Sequence, residues 1–413
     1  MLREIKKPNR DYARRVLQCL VVAIRPLRVE ELAEVLAVDF DDTEGVPELK
    51  PSRRWEDQEQ ALLASCSSLI VVVGRGHSRV VQFSHFSVKE FLTSARLATS
   101  SQDVSLYHIS LKPAHTILAQ ACVSVLLQLH DRDEQGNSDE QDDSDEEDVD
   151  GKNGPLARYA AEHWVRHAQF EDVVSRIKGI EYLFDSDKPY FAAWCQLHNI
   201  DTYPSDLSVF SLFVTSRSGT MTPLYYAALC GFSNLVELLI VKHPQHVKTI
   251  GGRYWTPALA ALAGRHFQIA EVLHRNGSSV DQRGYDTNSP LHSAARYEDL
   301  EMVQVLLDYG LDVNAQNRYG STPLAYATYG HFNNPKNVRL LLDHGADPNA
   351  RRNDRTAPLH RASQNGNVEI ARLLVEHGAS VGVQDKSGMT PLDVATEEQH
   401  DEIMKLLLEQ CAE

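Results

Sequence analysis

The chain has only six cysteines, at positions 19, 66, 122, 195, 230 and 411, and no C-x-x-C pair. Scattered among apolar neighbours, they read as buried thiols and give no disulfide frame, metal clip or redox motif. No stretch approaches the roughly 18 apolar residues of a membrane span. Met1 to Lys7 is charged and lacks the apolar centre of a signal peptide, so the Asn276-Gly277-Ser278 sequon reads as coincidence. The phosphate-cradling G-x-x-x-x-G-K-[ST] loop occurs nowhere. A basic surplus is missing too: 57 acidic residues face 41 basic ones, a net charge of −16, which argues against broad binding to nucleic acid or anionic membranes. These absences point to a reducing compartment, the cytoplasm with the nucleus left open, and to no cofactor, no metal, no nucleic acid and no membrane.

The acidity is concentrated. Residues 131–150 hold twelve Asp/Glu and one Arg, which is −11 of the total, leaving ordinary charge on the rest. Within this tract Ser144-Asp145-Glu146-Glu147 suits an acidophilic kinase, so Ser144 is a candidate phosphosite; the plainer reading is a solvated, disordered run spanning 131–154.

What the chain has in abundance is repetition. Thr222-Pro223-Leu224, Thr256-Pro257-Ala258, Ser289-Pro290-Leu291, Thr322-Pro323-Leu324, Ala357-Pro358-Leu359 and Thr390-Pro391-Leu392 recur at Pro-to-Pro intervals of 34, 33, 33, 35 and 33 residues. A hydroxyl at the N-cap, proline at the first helical position and leucine opening a buried stripe start a helix. A second apolar run follows, closed at Gly310, Gly345 and Gly378 as a left-handed helix stop requires. This period and phrase are the signature of ankyrin repeats, whose units stack because none can bury its own apolar face. Ala357 lacks the capping hydroxyl and should weaken its helix by about 1 kcal/mol. Residues 332–335 should lengthen one inter-helix turn, and Glu397 to Glu402 should make the last repeat a polar cap.

Before the repeats, apolar periodicity predicts helices at 11–24, 29–38 and 55–67, strands at 69–73 and 80–83 around a Gly74-Arg75-Gly76 turn, and a helix at 87–97. Three helices, a hairpin and a closing helix form a winged-helix pattern. Its third helix would read DNA, but it opens Trp55-Glu56-Asp57-Gln58-Glu59, and phosphates repel that start. Further helices are expected within 104–129 and at 156–168, 173–184 and 190–197. The expected architecture is mainly α: a winged-helix-like domain at 1–100, a helical region at 101–216 and an ankyrin solenoid of six repeats at 217–413. That last segment should fold alone, with 189–199 covering its first repeat.

Catalytic patterns fail on inspection. Gly76-His77-Ser78-Arg79-Val80 misses the final glycine of a nucleophile elbow and lies between strands. His163 and His167 share a helix face, but Trp164 stands where a zincin needs glutamate. His292 and His360 sit just after Pro-Leu, where an imidazole bonds locally between helix starts.

Pro26-Leu27-Arg28-Val29-Glu30-Glu31-Leu32, Phe83 to Leu92 (FSHFSVKEFL) and Tyr159-Ala160-Ala161-Glu162-His163-Trp164 resemble fungal NACHT–ankyrin proteins, signalling NTPases whose winged helix is named after GPI inositol-deacylase. The resemblance covers residues 5–413 and implies a NACHT domain upstream. Without a phosphate loop ATPase activity does not carry over, and the deacylase label belongs to a different domain. The resemblance implies a non-enzymatic scaffold that binds a protein partner, with an accessory fragment of a NACHT NTPase as the alternative.

Ankyrin arrays present projecting turns, or fingers, and first-helix faces as one strip. Here the fingers hold Arg253, Tyr254, Trp255, Arg283, Tyr285, Arg318, Tyr319, Arg352 and Arg355, and the first helices Tyr226, Arg296, Tyr326, Tyr329 and Arg361. Tyr, Trp and Arg dominate interface energetics, and arginine grips carboxylates bidentately, so an acidic protein is the expected partner. The 131–150 tract is itself a candidate occupant; the plainer alternative is that the fingers are simply polar.

Overall fold

The computed structural model describes residues 5–40, 45–74, 79–129, 153–198, 221–283, 287–296, 299–328 and 335–411, together with Leu2, Gly76 and Ile200. The acidic tract, Ser144, residues His77-Ser78 and, apart from Pro335, the expected longer turn at 332–335 lie outside them. The chain divides into two compact units. One comprises 1–216 with 222–242, the other 217–221 with 243–413.

In the first unit, α1 (Arg10–Val22) buries Ala13, Val16, Leu17 and Val21. It stops two residues short of the expected end because the chain must become extended to enter β1 (Leu27–Arg28). Helices α2 (Val29–Ala37) and α3 (Gln58–Cys66) follow, then β4 (Ile70–Val73) and β5 (Val80–Phe83); β2 (Val38–Asp39) and β3 (Glu48–Leu49) pair separately. The main sheet is antiparallel in the order β1-β5-β4, with Leu27 opposite Val81 and Val72 opposite Val81 on its other side. Helix α3 begins later than its apolar pattern predicts. Asp57 Oδ1 accepts the Gln60 amide at 2.9 Å, which makes Asp57 the cap, and Trp55 packs on Tyr12 with ring centroids 5.5 Å apart.

Two carboxylates on α2 are buried and fully engaged. Glu31 takes Arg25 Nη2 at 2.7 Å, Arg28 Nε at 3.2 Å and the Arg28 amide at 2.7 Å. Glu34 pairs with Arg54 and accepts the Leu156 amide at 2.7 Å, which joins the winged helix to the helical layer. A buried charge is tolerated only when it is paired and hydrogen-bonded, and both are.

The expected helix at 87–97 is two. Helix α4 (Phe86–Leu92) ends where Thr93 Oγ1 bonds back to Lys89 O, and Ser94 caps the turn Ala95–Ala98. The helical layer is α5 (Leu111–Leu126) packed on α6 (Ala157–Gln169) and α1. The expected 173–184 helix is likewise divided, at Gly179. That residue has φ +85° and lies so close to Val46 that a Cβ would meet Cγ1 at 2.8 Å.

Helix α7 (Tyr190–Leu197) carries Trp194, and with it an aromatic cluster. The Trp164 and Trp194 rings meet edge to face at 5.2 Å, and Phe232 lies 5.6 Å from Trp164. Tyr226 sits 5.2 Å from Phe191 and 5.7 Å from Trp194. Tyr226 and Phe232 belong to the first repeat, α8 (Pro223–Cys230) and α9 (Ser233–Lys242). Gln169 Nε2 also donates to Cys230 O at 2.8 Å. The first repeat thus shares a core with the helical layer and falls in the same unit.

The second unit holds five helix pairs: α10 (Pro257–Ala263) with α11 (Phe267–Arg275), α12 (Pro290–Arg296) with α13 (Leu300–Asp308), α14 (Pro323–Ala327) with α15 (Pro335–Asp343), α16 (Pro358–Gln364) with α17 (Val368–Glu376), and α18 (Pro391–Glu397) with α19 (Asp401–Cys411). Thr256, Thr322 and Thr390 cap their helices, accepting amides at 3.2, 3.3 and 3.2 Å. Gly310, Gly345 and Gly378 take φ of +92°, +86° and +88°, as the stops require. Glu397, Glu398, Gln399, Asp401 and Glu402 are exposed on the last repeat.

Ala357 offers no acceptor; instead the His360 imidazole takes the Ala357 amide on Nδ1 at 3.3 Å and donates from Nε2 to Met389 O, in the next repeat, at 3.0 Å. His292 does the same, accepting the Ser289 amide at 3.1 Å and donating to Ser321 O at 2.9 Å. Burial pulls both imidazoles below their ordinary pKa and favours the neutral form this geometry needs.

Two outcomes follow. His360→Ala orphans an amide and a carbonyl and should lower the stability of the array by about 1–3 kcal/mol in urea unfolding. Trp194→Ala should cost about 3–5 kcal/mol in the first unit. Hydrogen exchange should then show faster exchange at 223–242 with 300–308 and 368–376 unchanged; equal loss in both segments would contradict the shared core.

Candidate partner-binding surface

The fingers are built by side chains that hold their own turns. In the fourth repeat Asn317 Oδ1 accepts the amides of Tyr319 at 2.9 Å and Ser321 at 3.0 Å, and the turn closes through the Asn317 amide to Ser321 O at 3.0 Å. In the fifth, Asp354 Oδ1 accepts the Thr356 amide at 3.0 Å. In the sixth, Asp385 Oδ1 accepts the Ser387 and Met389 amides at 2.8 and 3.0 Å. Two residues before the helix starts of the last four repeats, Thr287, Gly320, Arg355 and Gly388 are left-handed, with φ of +57°, +71°, +60° and +82°.

Neighbouring fingers are tied tip to tip. The Asn353 amide donates to Tyr319 O at 2.9 Å, Asn353 Nδ2 to Arg318 O at 3.0 Å, and the Lys386 amide to Asp354 O at 2.9 Å. Arg283 Nη1 reaches Gln316 O at 3.3 Å. After the second helix of the third repeat, Asn314 Nδ2 donates to Gly345 O at 3.0 Å while its Oδ1 accepts the Asp347 amide at 2.8 Å. Asn349 repeats this with Gly378 O and the Ser380 amide at 2.9 and 2.8 Å. These asparagines escaped the motif reading, although the interval from Asn314 to Asn349 equals that from Pro323 to Pro358.

The candidate strip divides as follows. Arg283, Arg296, Arg318, Tyr319 and Arg355 are exposed; Arg253, Tyr254, Trp255, Tyr326, Arg352 and Arg361 are half-buried. Arginines stack on tyrosines: Arg318 lies 4.7 Å from the Tyr319 ring, Arg253 5.2 Å from Tyr254 and Arg296 5.9 Å from Tyr326. Arg253 also pairs with Asp299 at 3.5 Å, Arg352 with Asp354 at 3.3 Å, and Arg361 Nη1 bonds Gln364 at 2.6 Å. Tyr326 accepts from Asn317 Nδ2 at 3.1 Å. Tyr226 is different: it is 0% exposed within the aromatic cluster, so it offers no surface. Tyr285 and Tyr329 lie outside the described residues. Ser278 of the sequon is buried, and its hydroxyl takes the Ala258 amide at 3.2 Å.

The histidine pair on α6 is engaged by neighbouring side chains. His167 is buried between His115, Nδ1 to Nδ1 at 2.8 Å, and the Tyr159 hydroxyl at 3.0 Å from Nε2. His163 faces Glu162 at 3.6 Å. Among the described residues no group of three or more His, Cys, Asp or Glu side chains is placed to hold a metal, and no helix is long and apolar enough to cross a membrane. Burial pushes the Cys19, Cys66 and Cys195 thiols up to about 12, the opposite of an activated nucleophile. Burial, with His115 and His163 nearby, holds His167 down to about 3.

The unfolded chain binds that proton near pH 6.5 and the folded one only far below, so the stabilisation is complete above pH 6.5 and falls as pH drops toward 3. Urea unfolding of the first unit should lose about 1.4 kcal/mol per pH unit there from His167. His167→Gln should flatten that slope.

Residues 257–352 and 332–413 match the family model of ankyrin repeats, and residues 2–102 match that of the GPI inositol-deacylase winged helix domain. The azaphilone pigments biosynthesis cluster protein L of Monascus ruber is 27% identical over 279 residues, 64% of this chain and 55% of that protein. Ankyrin repeat and SOCS box protein 9 of Mus musculus is 36% identical over 103 residues, 25% of this chain and 35% of that protein. Ankyrin repeat domain-containing protein SAT10 of Stachybotrys chartarum is 29% identical over 156 residues, 38% of this chain and 8% of that protein. The chain spans about half the length of the first of these relatives and less of the others. Its C-terminal part is an ankyrin-repeat array, and its first hundred residues are similar to a winged helix domain of the deacylase type.

Proposed function

We propose that the chain is a non-enzymatic scaffold whose ankyrin array holds a protein partner on its finger tips and first-helix faces. The observation that carries this reading is the tip-to-tip tie between fingers, Asn353 to Tyr319 and Lys386 to Asp354, both at 2.9 Å. It makes separate turns into one preorganised strip, and preorganisation lowers the entropic cost of binding. Arg253, Tyr254, Trp255, Arg283, Arg296, Arg318, Tyr319, Tyr326, Arg352, Arg355 and Arg361 line that strip. The N-terminal half serves as a regulatory module of a NACHT-type signalling receptor; its similarity to a deacylase-type winged helix supports this, and no catalytic step is assigned to it.

A second reading is favoured by the length of the Monascus relative, of which this chain covers 55%: the chain acts as an accessory to an NTPase domain in a longer protein or a separate chain.

A pull-down with the tagged chain should recover a partner that is lost on Arg283→Ala or Tyr319→Ala, with affinity falling by about tenfold or more, as central Arg and Tyr contacts give. A partner indifferent to both would place binding elsewhere. Calorimetry should show no ATP binding to the chain; micromolar binding would overturn both readings, since each places no nucleotide site on these residues.

A further inference from the structure

Fingers four to six differ from the rest of the strip in charge. Their tips carry Arg318, Arg351, Arg352, Arg355 and Lys386, against Asp354 and Asp385. Both carboxylates are directed into their own turns: Asp354 holds the Thr356 amide and faces Arg352 at 3.3 Å, and Asp385 holds the Ser387 and Met389 amides. Burial by itself would raise the Asp354 carboxyl, yet the Thr356 bonds and the nearby Arg352 and Arg361 hold it below the usual range, so it stays an anion engaged inward. Arg318, Arg351, Arg355 and Lys386 are exposed, and the ties from Asn353 to Arg318 O and from Lys386 to Asp354 O place these tips side by side.

Arg355 adds a further exposed charge. It is left-handed, φ +60°, at the place where the fourth and sixth fingers use glycine. A non-glycine residue there costs on the order of 1 kcal/mol. Thr287 is left-handed at the same place in the third finger, so the position is not confined to glycine; what distinguishes Arg355 is its exposed charge on the same fingers as Arg318 and Arg351.

We propose that these three fingers bind an extended acidic polypeptide segment, its carboxylates gripped by Arg318, Arg351 and Arg355 and its backbone running over the exposed Tyr319 ring. This rests on the partner-binding reading above and specifies its chemistry. Arginine forks match carboxylates bidentately, and Tyr319, 39% exposed beneath the Arg318 guanidinium, gives a flat apolar contact between the charges.

The experiment uses the full chain and fluorescence anisotropy with a labelled decaglutamate peptide; a decathymidylate strand is the competing arm. Saturable binding of decaglutamate is expected, weakening as salt rises from about 50 to 200 mM. Arg351→Glu combined with Arg355→Gly should reduce it by about tenfold or more, while Arg372→Glu, on the exposed side of α17, should leave it within about twofold. Arg355→Gly alone should bind more weakly while melting at the same or a higher temperature, which separates lost contact from lost fold. The proposal is overturned by absence of saturable decaglutamate binding, by finger variants that bind as the parent does, or by tighter binding of decathymidylate that the same variants abolish. Should the pull-down partner depend on Arg283 and Tyr319 while decaglutamate fails to bind, the partner reading stands and the acidic chemistry falls.

Discussion

Everything in the array depends on one constraint: a helix pair of this length has no way to bury its own apolar face, so each repeat must be closed by the next. The apolar stripes supply the energy, but they are non-directional. Direction comes from polar groups that reach one repeat forward. His292 bonds Ser321 O, His360 bonds Met389 O, Asn314 bonds Gly345 O and Asn349 bonds Gly378 O. Each side chain also satisfies a backbone group of its own repeat or its neighbour, so the same residue starts one element and fixes the next. A sliding or rotated register would leave the buried Ser321 carbonyl and the part-buried Met389 carbonyl unpaired, a penalty that favours the observed stacking.

The first unit solves an equivalent problem with charge. Glu31 and Glu34 lie one helical turn apart on α2, buried, and each meets both an arginine and a backbone amide. Such carboxylates add little net stability over a well-packed apolar core, but removing a partner leaves a buried charge uncompensated. They also tie surfaces together: Glu34, paired with Arg54, accepts the Leu156 amide. The aromatic cluster then carries the first repeat into this unit through Tyr226 and Phe232.

The helices, the hairpin and the phase of the repeats were legible because each follows from a period or a fixed phrase. The failures share a cause: groups distant in sequence decided them. Nothing around Gly179 reveals that Val46 fills its Cβ position and breaks the expected helix. Trp55 is the expected start of the third helix; it packs on the distant Tyr12 instead, and Asp57 caps the helix. Tyr226 satisfied the rule for a first-helix surface position, yet the helical layer covers it, because a local repeat pattern contains no record of what lies against the repeat. For the remaining strip residues the sequence placed them on fingers and first helices, but only the hydrogen bonds reveal that the fingers are tied together.

Charge illustrates the same gap between composition and place. A net charge of −16 suggests a surface that repels acidic partners. Two facts reverse that inference locally. Most of the excess lies in 131–150, and the carboxylates among fingers four to six are occupied by backbone amides of their own turns. Screening confines what remains to about one Debye length, roughly 8–10 Å in physiological salt, so a tip sees its immediate neighbours and little of the total. The local electrostatics of these fingers are set at that scale, by which charges are bonded inward and which face the solvent.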